Sequence, residues 1–284
     1  MMLNKNQVTE IPYDIVQNMV VISLAEDVGY QDITAQLVDD IDTNAFCITR
    51  EEMILCGKSL ANEVVRQLDE NIQIKWFYND GDLVPATQRI FELRGNARNI
   101  LTAERAMLNF IQTLSATATS TYQMSNLIID YKTKLLDTRK TIPGLRIAQK
   151  YAVKCGGAFN HRIGLYDGYL IKENHIRSAG SIANAVAKAN ELHRDKFVEV
   201  EVASINELEQ AIHAKADIVM LDNFTLDDIN KAVNMSKDKI LLEVSGNIND
   251  KTIVDVAKTG VDFISVGGIT KHIQAIDLSM QIEI

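Results

Sequence analysis

Phe197-Val198-Glu199-Val200-Glu201-Val202, then Ile205 to Ala214, then Ile218-Val219-Met220-Leu221, form the stretch that decides the fold. Its outer pieces are short β-branched and aliphatic runs, and its middle piece carries apolar residues at helical spacing. Strand, helix and strand in that rhythm imply a right-handed crossover between parallel strands. The rhythm continues outward. Strands are expected at Lys134–Asp137, Tyr169–Lys172, Ile240–Val244 and Asp262–Val266, and helices at Arg146–Cys155, Ser181–Leu192, Leu226–Met235 and Asp250–Thr259. That makes six strands, two short of a full (β/α)8 barrel.

The residues before this half read as α+β. Pro12 opens a helix with Ile15, Met19 and Ile22 at helical spacing, and Gly29 closes it. Asn44–Arg50, Ile72–Trp76 and Arg89–Leu93 alternate like strands, and Ser59 is placed to cap a helix carrying Ala61, Val64, Val65 and Leu68. A long helix begins near Ala97 and is apolar nearly all round, so it is buried against more than one element. The small-residue run Ser115–Thr121 marks the domain boundary. The expected class is therefore α/β: an N-terminal α+β, sandwich-like domain over 1–115, then an incomplete (β/α) TIM-like barrel over 116–269, with the tail 270–284 packing back on the first domain.

With 284 residues, 46% of them hydrophobic, the chain has ample material for its cores. A formal net charge of -9 argues against nucleic acid as the main partner. Cys47, Cys56 and Cys155 lie far apart, which suggests neither a disulfide framework nor a zinc site. Met1 to Asn6 carries no apolar secretory core, and no run approaches membrane-spanning length, so a cytoplasmic protein is expected.

Against that acidic background, residues 138–177 hold eight Lys/Arg (139, 140, 146, 150, 154, 162, 172, 177) and two acids, Asp167 and Glu173. The cations are interleaved with Pro143-Gly144, Gly156-Gly157, Asn160-His161 and Asn174-His175, which suit turns and directed hydrogen bonds. A small polyanion is the simplest occupant. Lys150 and Lys154, on the helix that follows, read instead as a solvated face.

Barrel active sites gather where strands end. Reading those ends gives Arg139-Lys140, Lys172 with His175, Glu201, Asp222, Ser245-Gly246-Asn247 and Gly267-Gly268. The last two groups suit a monophosphate, with glycines admitting backbone N–H groups and the next helix start adding its dipole. Glu201 and Asp222 can hold Mg2+ or accept hydrogen bonds from ribose hydroxyls. Asp222 can also cap the next helix, although Thr225 is better placed. Glu199 shares a face with Glu201 but lies away from the strand end, and reads as its bland counterpart. Arg105, Arg139, His161, Arg162 and Lys172 supply donors for an acid with more than one carboxylate.

Thr138-Arg139-Lys140-Thr141-Ile142-Pro143-Gly144-Leu145-Arg146, Asn160-His161-Arg162, Leu170-Ile171-Lys172-Glu173-Asn174-His175, Glu199-Val200-Glu201-Val202, Leu221-Asp222-Asn223-Phe224 and Leu101-Thr102-Ala103-Glu104-Arg105 strongly resemble the quinolinate phosphoribosyltransferase family. The resemblance covers nearly the whole chain. It implies transfer of phosphoribosyl from phosphoribosyl pyrophosphate to quinolinate with decarboxylation, and an incomplete barrel. It implies that Arg105, Arg139, His161, Arg162 and Lys172 contact quinolinate, that Lys140 sits by the pyrophosphate, and that Glu201 and Asp222 sit by the ribose and Mg2+, directly or through water. Ser245, Gly246, Asn247, Gly267 and Gly268 would hold the 5-phosphate. Lys140, Glu201 and Asp222 are the candidate catalytic residues. It further implies a homodimer, or a hexamer, in which Arg105 completes the partner's site. Ile142, Phe159 and Gly168 depart from the family pattern.

Three rivals stand beside this reading. A molybdenum-transport-associated relative shares the Thr-Arg-Lys-Thr loop, but Lys172-Glu173-Asn174-His175 argues against it. A metal-dependent hydrolase built on His161, His175 and Asp222 lacks paired histidines at ligand spacing. A non-catalytic binding protein would have little use for the full charged set.

Overall fold

The computed structural model describes residues 7–283, which form two compact units. One holds residues 123–141 and 158–271, together with Gln7; the other holds 8–122, 142–157 and 272–283. In chain order the helices are α1 (Tyr13–Asp27), α2 (Lys58–Leu68), α3 (Ala97–Asn126), α4 (Arg146–Cys155), α5 (Glu173–Ala179), α6 (Ile182–Leu192), α7 (Ile205–His213), α8 (Leu226–Ser236), α9 (Ile253–Lys258) and α10 (Gly268–Lys271). The strands are β1 (Asp42–Thr49), β2 (Met53–Ile54), β3 (Gln73–Trp76), β4 (Leu83–Val84), β5 (Arg89–Asn96), β6 (Lys134–Leu136), β7 (Tyr169–Ile171), β8 (Val198–Val202), β9 (Ile218–Asp222), β10 (Leu241–Ser245), β11 (Phe263–Ser265) and β12 (Leu278–Glu283).

The first unit is the incomplete barrel. Its six parallel strands run in the order β6-β11-β10-β9-β8-β7, so the first strand pairs with the last and the ring stays open between β6 and β7. A single parallel bridge from Phe159 to Leu136 extends the β6 edge. Thr225 accepts the Asp228 N–H and caps α8, which leaves Asp222 available to the site. Asp217 and Asp262 accept the N–H groups of Val198 and Leu242 where those strands begin.

The other unit is α+β. Its antiparallel sheet has the order β12-β1-β5-β3, and the tail strand β12 pairs with β1 from Asn44↔Glu283 to Thr49↔Leu278. α3 is a continuous helix of 30 residues that passes through Ser115–Thr121, where the sequence suggests a boundary. That run of small residues is the close-packed part of the helix: a Cβ on Gly156, just past α4, would meet Ala118 O at 2.4 Å. Two local expectations fail here. Ser59 does not cap α2; Gly57 does, in the left-handed conformation, while Asp80 Oδ1 accepts the Lys58 N–H at 3.2 Å. Lys150 is fully buried on α4 rather than on a solvated face. On α1 the buried residues are Val16 and Val20, and Ile22 is exposed. Cys56 and Cys155, far apart in sequence, bring their sulfurs to 3.9 Å as free thiols. Among the described residues, no helix is long and apolar enough to cross a membrane.

Candidate active site

Side chains alternate across a strand, so the strand register sorts the barrel residues into two faces. The pairings Glu199↔Ile218, Glu201↔Met220, Glu243↔Met220, Ser245↔Asp222 and Glu243↔Phe263 put the carboxylates on one face. The other face is Val198, Val200, Val202, Val219, Leu221, Leu242, Val244 and Ile264, all buried, and α6 to α9 pack along these strands. The polar face is therefore interior. Along the strands, Leu136, Ile218 and Phe263 form an apolar cluster, Glu199 and Glu243 are buried, and Glu201, Asp222 and Ser245 lie where the strands end.

At the strand ends, Lys172 Nζ is ion-paired with Glu201. The Lys172 backbone N–H donates to His175 Nδ1 at 3.0 Å, so His175 anchors the lysine from the first turn of α5. Arg162 is buried and donates from Nη1 to the Gly168 carbonyl at 3.1 Å. Burial first, and then the neighbouring charge of Arg139, hold the Arg162 pKa below its ordinary value. Glu199 and Asp167 pull the Arg162 pKa the other way. The departure at Gly168 has a clear cause, since a Cβ there would lie 2.2 Å from the Phe197 ring.

The β6 and β11 loops meet around Lys140. Thr138 Oγ1 accepts the Lys140 N–H at 3.0 Å, and Thr270 Oγ1 donates to the Lys140 carbonyl at 2.8 Å. A Cβ on Gly267 would lie 2.8 Å from Lys140 Cδ, so the glycine gives the lysine stem its path. Beside β9 and β10, Asn247 donates to Asn223 Oδ1 at 3.1 Å, Asn223 Nδ2 donates to Asp222 at 3.0 Å, and the Asn223 N–H donates to Ser245 O at 3.0 Å. These residues border a cavity of about 280 Å³ lined by Asn223, Ser245, Gly246, Asn247 and Thr252. α9 begins only at Ile253, so its dipole does not sit at the Ser245-Gly246-Asn247 turn, and α10 has only four residues. A larger cavity of about 710 Å³ lies where strands begin, lined by Lys132, Asp217, Lys239 and Asp262, away from the candidate residues.

Beneath the rim lies a buried trio. His161 Nε2 is 2.9 Å from Glu199 Oε2 and 3.3 Å from Glu243 Oε2, with both glutamates fully buried. Neither carboxylate receives a well-aimed hydrogen bond, as expected when one N–H points between two acceptors. His161 Nδ1 accepts the Arg162 backbone N–H at 2.7 Å, which fixes the ring proton on Nε2. Burial opposes a charged His161, yet Glu243 and Glu199 outweigh it and draw its pKa well above the ordinary range. Burial and then Glu243 push Glu199 up to about 7. A charged ring would lose the Nδ1 contact with the Arg162 N–H, which opposes the pull of the two carboxylates. Asp137 braces the same segment, accepting from the His161 N–H at 2.8 Å and from Asn160 Nδ2 at 2.7 Å.

The barrel unit thus carries Arg139, Lys140, His161, Arg162, Lys172, Glu201, Asp222, Ser245, Gly246, Asn247, Gly267 and Gly268. Arg105 belongs to α3 of the other unit, with its side chain 58% exposed and Glu104 3.9 Å away. Sequence reasoning missed Asn223, Glu199 and Glu243. Asn223 had a usable signal, a polar residue directly after a strand end. His161 groups with Glu199 and Glu243, not with His175 and Asp222 as a hydrolase centre would need.

Residues 117–281 match the description Quinolinate phosphoribosyl transferase, C-terminal domain, and residues 32–115 match the N-terminal domain of the same family. The solved nicotinate-nucleotide pyrophosphorylase from Francisella tularensis is 67% identical, with a TM-score of 0.97, covering 98% of this chain and 99% of that one. The structure from Ehrlichia chaffeensis, also a nicotinate-nucleotide pyrophosphorylase, is 35% identical with a TM-score of 0.90 and covers 94% and 98%. A Bacillus subtilis (strain 168) protein, named a probable nicotinate-nucleotide pyrophosphorylase (carboxylating), is 39% identical over 259 residues, 90% of each chain.

Proposed function

The chain belongs to the quinolinate phosphoribosyltransferase family, and on that premise we infer that it transfers phosphoribosyl from phosphoribosyl pyrophosphate to quinolinate. CO2 is lost, and nicotinate mononucleotide and pyrophosphate are formed, a step of de novo NAD biosynthesis. The observation that carries the reading within the site is the buried Arg162 with Arg139 beside it. A dicarboxylate can accept hydrogen bonds from both guanidinium groups, and Lys172 adds a third donor at the same rim.

Departure of pyrophosphate leaves positive charge on ribose C1, which Glu201 and Asp222 are placed to stabilise from the strand ends. Lys140, steadied by Thr138 and Thr270, faces the leaving group as a compact charge. The pyridine nitrogen attacks C1, and the ring becomes cationic. The carboxylate next to that nitrogen then leaves as CO2, and the carbon takes up a proton. Positioning and electrostatics supply the rate, with no side chain required as nucleophile. The Asn223–Asn247 bridge holds the turn after β10 for the 5-phosphate.

Glu201 and Asp222 end neighbouring strands and offer oxygen only, a donor set that fits Mg2+, which takes one or two carboxylates alongside substrate phosphates. When bound, the ion would neutralise charge on the departing pyrophosphate. We further propose a cytoplasmic homodimer in which Arg105, exposed on its own unit, completes the site of the partner.

Calorimetry with quinolinate and nicotinate tests the acceptor. Quinolinate should bind and nicotinate should bind far more weakly, because a monocarboxylate forgoes the second carboxylate's charge-assisted hydrogen bonds, each worth about 1.5–3 kcal/mol. Equal affinities would overturn the assignment.

A further inference from the structure

We propose that Glu199 and Glu243 are positioning residues for quinolinate, acting through His161 on Arg162. The inference rests on the reading of the site given above. It concerns two residues that lie one layer beneath the rim and face neither the solvent nor the strand-end carboxylates.

The chain of contacts is short. Glu199 on β8 and Glu243 on β10 converge on one atom, His161 Nε2, from two strands separated by β9. Both strands are pinned in register to β9, through Glu201↔Met220 and Glu243↔Met220, so neither carboxylate can shift without breaking the ladder. With Nε2 held from below, Nδ1 is left to accept the Arg162 N–H at 2.7 Å. Asp137 accepts the His161 N–H at 2.8 Å, so consecutive peptide N–H groups, those of residues 161 and 162, are held by one buried scaffold. Arg162 departs from that scaffold, and its guanidinium is tied at the far end to Gly168 O.

The alternative is that the trio is only a plug for the barrel interior. Charge makes that a poor explanation. Two buried carboxylates next to one imidazole cost far more than apolar residues such as those of the Leu136, Ile218 and Phe263 cluster. What the carboxylates provide, and an apolar residue could not, is a fixed direction for the imidazole and so for the Arg162 backbone.

The test uses Glu243→Gln and Glu199→Gln in the full-length protein, with phosphoribosyl pyrophosphate saturating and quinolinate varied. The wild type run in parallel reports on the reading of the site itself: if it does not turn quinolinate over, that reading fails first. If it does, the quinolinate KM of each variant should rise roughly 10–100-fold while kcat changes little. The KM for phosphoribosyl pyrophosphate should stay near that of the wild type, and Glu243→Asp should recover part of the loss. A folded Glu243→Gln enzyme with unchanged KM overturns the proposal, as does a fall in kcat alone. Should neither variant fold, 15N-histidine spectra of the wild type decide. One ring must show a proton on Nε2 and none on Nδ1; a protonated Nδ1 at His161 overturns the proposal, and so does a stoichiometric transition metal held by the purified protein.

Discussion

Gly246 occupies the tightest point of the phosphate-side turn. Its φ is +97°, and a Cβ would lie 2.3 Å from Asn223 Oδ1, the atom that accepts the Asn247 amide. Gly246→Ala therefore carries both a left-handed backbone cost of about 1–2 kcal/mol and a broken Asn223–Asn247 bridge. Steady-state kinetics should show the phosphoribosyl pyrophosphate KM raised about tenfold or more, with quinolinate affinity little changed. An unaltered KM would mean that this turn does not hold the phosphate. At this scale the rim residues were legible because they follow β-branched runs: Lys172, Glu201, Asp222 and Ser245 each stand where a strand stops. Glu199 and Glu243 were not. Alternation gives the face of a carboxylate but not its partner, and the partner, His161, comes from a segment outside the six strands. Lys150 was misread for a related reason, because a lysine on an amphipathic helix gives no sign in sequence of a second surface covering it.

At the level of elements, the strand–helix alternation survived translation into structure because the barrel strands carry buried Val, Leu and Ile and α6 to α9 each bury apolar residues. α5 was missed because Glu173-Asn174-His175 is polar and the helix buries no residue. The start of α2 was misplaced by two residues, because a left-handed glycine with a distant aspartate competes with the local serine as the cap. The α3–α4 contact offers the sharpest stability test. A Cβ on Gly156 would meet the Ala118 carbonyl at 2.4 Å and Thr121 Cβ at 2.6 Å, both on α3. Gly156→Ala should destabilise the protein by about 1–3 kcal/mol, since neither helix backbone can yield cheaply. Thermal unfolding should show a Tm lower by several degrees; an unchanged Tm would mean that the two helices can separate without cost.

For the molecule as a whole, the net charge of -9 coexists with Arg139, Lys140, Arg162 and Lys172 on the barrel unit, a set of cations that favours anionic substrates there. Arg105 lies outside the barrel unit, which makes the assembly testable by complementation. Arg105→Ala and Lys140→Ala proteins should each be nearly inactive. Co-expressed, they should recover activity in about one quarter of all sites if pairing is random and two-fold symmetric. Mixed dimers as inactive as their parents would place Arg105 in its own subunit's site or in none.

The central claim is the reaction itself. Purified protein should be incubated with phosphoribosyl pyrophosphate, Mg2+ and quinolinate labelled in the carboxylate adjacent to nitrogen, and the released CO2, pyrophosphate and nicotinate mononucleotide quantified together. The account predicts equal amounts of all three, dependent on both substrates and abolished in Arg162→Ala. Pyrophosphate formed without CO2, or CO2 released from quinolinate without phosphoribosyl pyrophosphate, would contradict it.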